Sequence, residues 1–267
     1  MIFSYTQIAQ YIRCPRRYRF KYLNGWLERE NKASISFGRC FEKAIASYFH
    51  GDDCAHAFFS EWNGFRDVPL IYAENENWDK LYRQGIQLLE KFARENRVSV
   101  SAPEVNLQIR AVRKLTNGNE FVSFIDALGQ LDGVDCVIDW KTTTRAYPEK
   151  PEGLLSLDPQ LVCYSWMTGI RDVAFVVFVR KKTPHIQYLR TSIADRRWRD
   201  YEELVERSIA AIEGGEFPAH SGIRFPQDGC IGCSHLGICL DDQTLIKANL
   251  ERKAGAQALD WIEQFVD

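Results

Sequence analysis

No stretch of this 267-residue sequence is long and apolar enough to read as a membrane span. Its first residues, Met1-Ile-Phe-Ser-Tyr-Thr-Gln, turn polar at once and lack the apolar core of a secretory leader. A cytoplasmic location with no membrane partner is therefore the expectation. Charge of one sign is not in excess either: 34 Lys and Arg stand against 36 Asp and Glu, for a net charge of -2. That excludes a bulk polycation, so contact with nucleic acid must come from local patches. No phosphate-cradling G-x4-G-K-[ST] motif is present, so strand separation driven by nucleotide hydrolysis would need another protein. Internal repeats and low-complexity linkers are also lacking. At 45% hydrophobic residues, the length suffices for a real core in one large domain or two small ones, and we read 1–267 as one domain.

Cysteine is the residue present in an informative pattern. Cys14 stands alone within Arg13-Cys14-Pro15-Arg16-Arg17-Tyr18, whereas Cys230, Cys233 and Cys239 form one C-x2-C-x5-C group. In a reducing compartment, clustered cysteines are metal ligands more often than disulfides. A zinc ribbon would offer two short knuckles, and this chain has one. Thiolates suit zinc and iron–sulfur clusters alike, and His235 inside the loop is a substitute ligand for zinc. Either metal would join chain ends separated by more than two hundred residues. Cys40, Cys54, Cys136 and Cys163 lie among apolar neighbours and read as small core residues.

Secondary-structure signals divide the chain into a mainly helical part (1–100), a sheet core (101–192) and a helical, cysteine-bearing part (193–267). Ser4 with Gln7 forms a capping box, and Cys14-Pro15 breaks and restarts the helix. Helices are predicted from about Gly38 to Phe49 and from about Trp78 to Asn96. Strands are predicted from Val105 to Ala111, Phe121 to Leu128, Val134 to Lys141, Val173 to Val179 and Ile186 to Leu189, with a hairpin turn at Asn117-Gly118. Asp158-Pro159 opens a helix carrying Gln160 and Tyr164. Two further helices are predicted from about Ile193 to Ile212 and from about Thr244 to Phe265. The order implies an α/β sandwich with a mixed sheet.

Alternation places Asp139 and Lys141 on one face of their strand. Asp126, on the preceding strand, would stand beside them. A carboxylate on an otherwise apolar face is costly unless it is paired or bound to a cation, and two close carboxylates accept a divalent ion. Mg²⁺ or Mn²⁺ held there would activate a water for phosphodiester hydrolysis, with Lys141 neutralising developing charge. Asp132 and Asp135 are the competing acids, but they flank Gly133 and look like turn residues. Two basic patches are visible: Arg13, Arg16, Arg17, Arg19 and Lys21 interleaved with Tyr11, Tyr18, Phe20 and Tyr22, and the run Arg180-Lys181-Lys182.

The order of these motifs resembles the PD-(D/E)XK nuclease superfamily, in its RecB-like branch with an iron–sulfur cluster. That branch includes the AddB nuclease domain and the CRISPR-associated adaptation exonuclease. The resemblance rests on Ser4 to Tyr18, on Phe121-Val-Ser-Phe-Ile-Asp126, on Val137-Ile-Asp139-Trp-Lys141-Thr142 and on Gln160-Leu-Val-Cys-Tyr164, a Q-x3-Y helix. It implies a restriction-endonuclease-like core, a central mixed sheet flanked by helices, with an N-terminal helical segment and a C-terminal cluster-binding segment. It implies a 4Fe-4S cluster on Cys14, Cys230, Cys233 and Cys239, and Mg²⁺ or Mn²⁺ on Asp126, Asp139 and Glu42. Lys141, Gln160 and Tyr164 would complete the catalytic group, with Glu104 as a further acid. Glu42 departs from the pattern, because it follows Gly38 by four residues where the family often has histidine.

The implied function is a metal-dependent nuclease, an exonuclease on single-stranded DNA or DNA ends, working with a helicase or a CRISPR-adaptation protein. One alternative is a catalytically weak DNA-binding or assembly subunit that keeps the stapled nuclease fold. A zinc-dependent binding module is the other.

Overall fold

The structure is a computed structural model that describes residues 1–29, 31–219 and 229–253. In chain order the elements are β1 (Ile2–Ser4), α1 (Tyr5–Arg13), α2 (Pro15–Tyr18), a π-helical turn (Arg19–Leu23), β2 (Trp26–Glu28), α3 (Ala33–His50), α4 (Cys54–Asn63), α5 (Trp78–Glu95), β3 (Val98–Ser99), α6 (Pro103–Asn106), β4 (Leu107–Lys114), β5 (Glu120–Leu131) and β6 (Val134–Thr143). A 3₁₀ turn (Glu152–Leu157) leads to α7 (Pro159–Thr168), β7 (Asp172–Val179), β8 (His185–Ser192), α8 (Asp195–Glu213), α9 (Leu236–Leu240), α10 (Gln243–Asn249) and β9 (Leu250–Arg252). The mixed α/β class expected from the sequence is the one observed. No helix among the described residues is long and apolar enough to cross a membrane.

Contacts group the chain into two compact units. One comprises 31–111 and 123–201, the other 1–30, 112–122 and 202–267. In the first unit, β5 and β6 run antiparallel, β6 and β7 parallel, and β7 and β8 antiparallel. The valine-rich β7 is buried along nearly its whole length, as a strand covered on both faces must be. Ile138, Trp140, Ala174, Val176 and Phe178 pack with Phe37, Phe41, Ile45, Leu88 and Phe92 of α3 and α5. The helix α7 packs against β6 and β7. Asp158 caps it, accepting the Gln160 and Leu161 amides at 2.9 and 3.1 Å, with Pro159 as its first residue.

The predicted capping box is present: Ser4 Oγ accepts the Gln7 amide, and Gln7 Oε1 accepts the Ser4 amide. In this second unit β1 also pairs in parallel with the first residues of β5, and Leu115 donates to Asn119 across the Asn117-Gly118 turn.

Four readings change. Residues 1–100 also hold β1, β2 and β3. The helix α4 went unpredicted; it packs so closely on α5 that a Cβ at Gly85 would lie 2.3 Å from the Phe58 ring. Val105 sits in α6, because Pro103 opens a helical turn, and the strand starts at Leu107. The last predicted helix stops at Asn249, where buried Leu250 begins a strand paired antiparallel with Trp26–Glu28. Its remainder, 254–265, lies outside the described residues.

Candidate active site

The pairing of β5 with β6 runs up to Ala127 opposite Ile138. One step further come Asp126 and Asp139, which side-chain alternation puts on a common face. Asp126 Oδ2 accepts the Trp140 backbone amide at 2.8 Å, a bond that fixes its carboxylate beside β6. Asp139 is fully buried, and the Lys141 ammonium stands 2.5 Å from its Oδ2. Glu42 reaches the same carboxylates from α3, and the approach is close at this point: a Cβ on Gly38, one turn earlier, would lie 3.5 Å from Thr142 Oγ1 of β6.

The electrostatics are those of a crowded anionic site. Burial first, then the Asp139 and Glu42 charges, push the Asp126 carboxyl well above its ordinary value. Burial also raises Asp139, against the opposing pull of Lys141, and burial raises Glu42, against a hydrogen bond from Gln108. Lys141 is held charged: burial disfavours its ammonium, but Asp139 and Asp126 outweigh it and its pKa rises. Gln160 Nε2 donates to the Tyr164 hydroxyl at 2.7 Å. That hydroxyl faces Asp139, whose charged form it supports, and burial lifts the phenol well above its usual value. The predicted residues Glu42, Asp126, Asp139, Lys141, Gln160 and Tyr164 thus belong to one neighbourhood.

A different group anchors each acid. Glu42 Oε1 faces Gln108, Asp126 Oδ2 the Trp140 amide and Asp139 Oδ2 the Lys141 ammonium. The Asp139 carboxylate is wholly buried, with the Lys141 ammonium and the Tyr164 hydroxyl as the groups that favour its charge. Three buried acids whose charge is disfavoured offer the hard oxygen donors that a divalent cation takes, so the donor set fits the ion. Among the described residues no three or more His, Cys, Asp or Glu side chains, the three acids and the four cysteines included, stand close enough together to hold a metal ion as placed.

Sequence reasoning missed Gln108. It lies inside β4 yet has φ +49°, a left-handed conformation that costs a non-glycine residue about 1–2 kcal/mol. No periodicity could have signalled a backbone reversal within a strand. Tyr147 and Asp158, both near Asp139 electrostatically, were missed too. The competing acids are spoken for: Asp132 occupies the turn and pairs with Arg97 at 2.5 Å, and Asp135 accepts Gln130 at 2.8 Å. Glu104 is exposed on α6.

Both basic patches change. Arg180 is buried, pairs with Glu76 at 2.9 Å and lies over the Phe37 ring, while Lys181 and Lys182 remain exposed. Tyr11, Tyr18 and Tyr22 are buried and pack with one another, so no base can stack on them. Arg17 pairs with Glu28 at 2.6 Å.

At the cysteine end, Cys14 Sγ accepts the Arg17 amide at 3.4 Å and thereby caps α2. The Cys233 amide bonds to the Cys230 carbonyl at 3.1 Å. Burial raises the Cys239 thiol pKa; Arg16 opposes the rise, and Cys233 and Cys14 add to it. Cys239 therefore lies within electrostatic reach of Cys233 and Cys14. His235 is buried, with Nε2 3.1 Å from the Trp26 carbonyl and Nδ1 3.4 Å from Ser234 Oγ.

Burial lowers the His235 pKa below 6.5. In that case the unfolded chain binds a proton that the folded one refuses, and stability falls as pH drops from 6.5 toward the folded value. Melting temperatures measured from pH 7.5 to 5.5 are expected to fall more for wild type than for His235→Gln, which still donates to Trp26 but does not titrate. Parallel profiles would refute a proton-linked role for the ring.

Adjacent β-strands thus carry two carboxylates and a lysine, backed by a helix-borne glutamate. The chain belongs to the PD-(D/E)XK nuclease superfamily, whose family model matches residues 2–240. The chain is structurally similar to a provisionally assigned exonuclease of Eubacterium rectale, at 14% identity and TM-score 0.55, over 84% of this chain and 86% of that one. Fainter likenesses are to SSO0001 (14% identity, TM-score 0.36, 89% and 95% covered) and to LHK-Exo in complex with dAMP (13%, 0.32, 68% and 93%). No curated protein matches the sequence.

Proposed function

We propose that this protein is a metal-dependent deoxyribonuclease, an exonuclease acting on single-stranded DNA or DNA ends. The observation that carries the reading is the fully buried Asp139 carboxylate beside Asp126 and Glu42, with the Lys141 ammonium 2.5 Å away. Asp126, Asp139 and Glu42 would hold Mg²⁺ or Mn²⁺. The ion supplies Lewis acidity and a water made acidic enough to attack phosphorus. Lys141 is kept protonated by its acidic neighbours and meets the charge that builds on the phosphoryl oxygens. Gln160 and Tyr164 hold Asp139 in orientation. Lys181 and Lys182, exposed just beyond the end of β7, offer charge to a phosphate backbone.

We propose further that Cys14, Cys230, Cys233 and Cys239 hold a 4Fe-4S cluster with a structural role, tying the N-terminal helices to the C-terminal segment. The donor set and the reach of Cys239 to Cys233 and Cys14 support this. A helicase or a CRISPR-adaptation protein is the partner this reading assigns.

The test uses the full chain purified without oxygen. Expected results are about four iron atoms per chain, as one such cluster holds, a visible absorption band, and degradation of end-labelled single-stranded DNA with Mg²⁺ or Mn²⁺ that EDTA stops. Asp139→Ala protein that degrades DNA like wild type would overturn the assigned site. Zinc in place of iron would overturn the cluster. Tight DNA binding without cleavage across divalent ions would turn the reading to the assembly-subunit alternative.

A further inference from the structure

We infer that Gln108 is a positioning residue for Glu42, holding one carboxylate oxygen so that the other faces the divalent cation. The inference rests on the metal site proposed above. Six non-glycine residues among those described have positive φ. Asn96 and Asp241 end helices, Ala102 precedes one, and Asn75 and Asp132 lie in turns; only Gln108 lies inside a strand. A left-handed residue in a strand re-aims its side chain relative to the pleat. Here the amide of Gln108 is aimed at α3, with Nε2 3.4 Å from Glu42 Oε1.

That contact is long for a hydrogen bond, but it is the one donor that Glu42 has among the described residues. It completes a pattern in which each acid has its own restraint: a side-chain amide on Glu42, a backbone amide on Asp126, and an ammonium with the Tyr164 hydroxyl on Asp139. Glutamate has one more rotatable bond than aspartate, and at the slot where the family often has histidine it needs an external restraint to point one oxygen at a cation. Backbone strain of this kind persists where the surroundings over-determine it and gathers at functional sites. Partners that orient a metal ligand contribute to affinity without touching the metal.

The experiment measures Mn²⁺ binding to the full-length protein by calorimetry and by the electron paramagnetic resonance of free Mn²⁺, for wild type, Gln108→Ala, Gln108→Gly and Glu42→Gln. Both Gln108 variants are expected to bind Mn²⁺ about tenfold more weakly, and cleavage at saturating Mn²⁺ should stay within about twofold of wild type, the signature of a lost restraint. Gln108→Gly removes the strain along with the amide. A binding defect in that variant, at an unchanged or raised melting temperature, separates positioning from folding. If both Gln108 variants bind Mn²⁺ like wild type while Glu42→Gln does not, the positioning role is wrong and the metal site stands. If Glu42→Gln also binds like wild type, Glu42 is no ligand and both readings fall.

Discussion

Asp126→Asn will abolish DNA cleavage, by about 10³-fold or more, and will raise the melting temperature of the metal-free protein. The first effect follows from removing a cation ligand, which forfeits on the order of 4 kcal/mol of transition-state stabilisation. The second follows from the sign of the Asp126 pKa shift. Its folded-state pKa lies well above 3.8, because burial and the neighbouring Asp139 and Glu42 disfavour its charge. Between the unfolded and folded pKa values the folded protein binds more protons than the unfolded chain. Stability therefore falls as pH rises through that window and stays lowered above it. Asparagine keeps an oxygen for the Trp140 amide and removes the charge. At pH 7.5 without metal we expect a gain of about 2 °C or more, the size of a 1 kcal/mol effect in a chain of this length. Mn²⁺ should then raise the wild-type melting temperature and leave the variant's unmoved. Calorimetric scans with and without Mn²⁺ decide it: a metal-free variant that melts below wild type would mean the three acids do not repel one another.

Lys141→Ala should move stability the other way. The ammonium is the cation nearest a carboxylate that has no contact with water. Removing one partner of a buried pair leaves the other charged and unmatched, or forces it to take up a proton. Because Asp139 can protonate, we place the loss at about 2–3 kcal/mol, below the usual range for a broken buried pair. Cleavage should fall about 10²–10³-fold. Mn²⁺ is expected to recover most of the lost melting temperature, since a divalent ion replaces the missing positive charge, but not the lost rate. A variant that unfolds at the wild-type temperature without metal would show that Lys141 does not neutralise Asp139. The two variants are both inactive, and only their opposite thermal shifts distinguish an excess of negative charge from a missing positive one.

The strand carrying Asp139 and Lys141 was legible because alternation on a buried strand fixes which residues share a face. The Asp158-Pro159 cap was legible because a carboxylate cap followed by proline has few other uses. Asp126 could be set against Asp139 because hairpin pairing is nearly determined once two strands and their turn are known. The rest depended on long-range packing. The helix α4 was missed; its fit on α5 rests on Phe58 meeting Gly85, a contact between distant residues that no local pattern announces. Leu250 read as the continuation of a helix because its strand partner, Glu28, lies more than two hundred residues earlier. Arg180 looked like part of a surface run, since nothing in Arg-Lys-Lys reveals that one of three adjacent cations turns inward to Glu76. Gln108 had no sequence signal at all.

The chain order of the two units bears on how the molecule is made. All of 31–111 and 123–201 is synthesised before the last stretch of the other unit, 202–267, and emerges from the ribosome ahead of it. The carboxylate-bearing unit is thus free to fold first, during translation. The opening helices must wait, their tyrosines wet, until the segment that carries Glu216, the partner of the Tyr11 hydroxyl, emerges. A nascent chain stalled near residue 201 should therefore present its first thirty residues to chaperones and proteases.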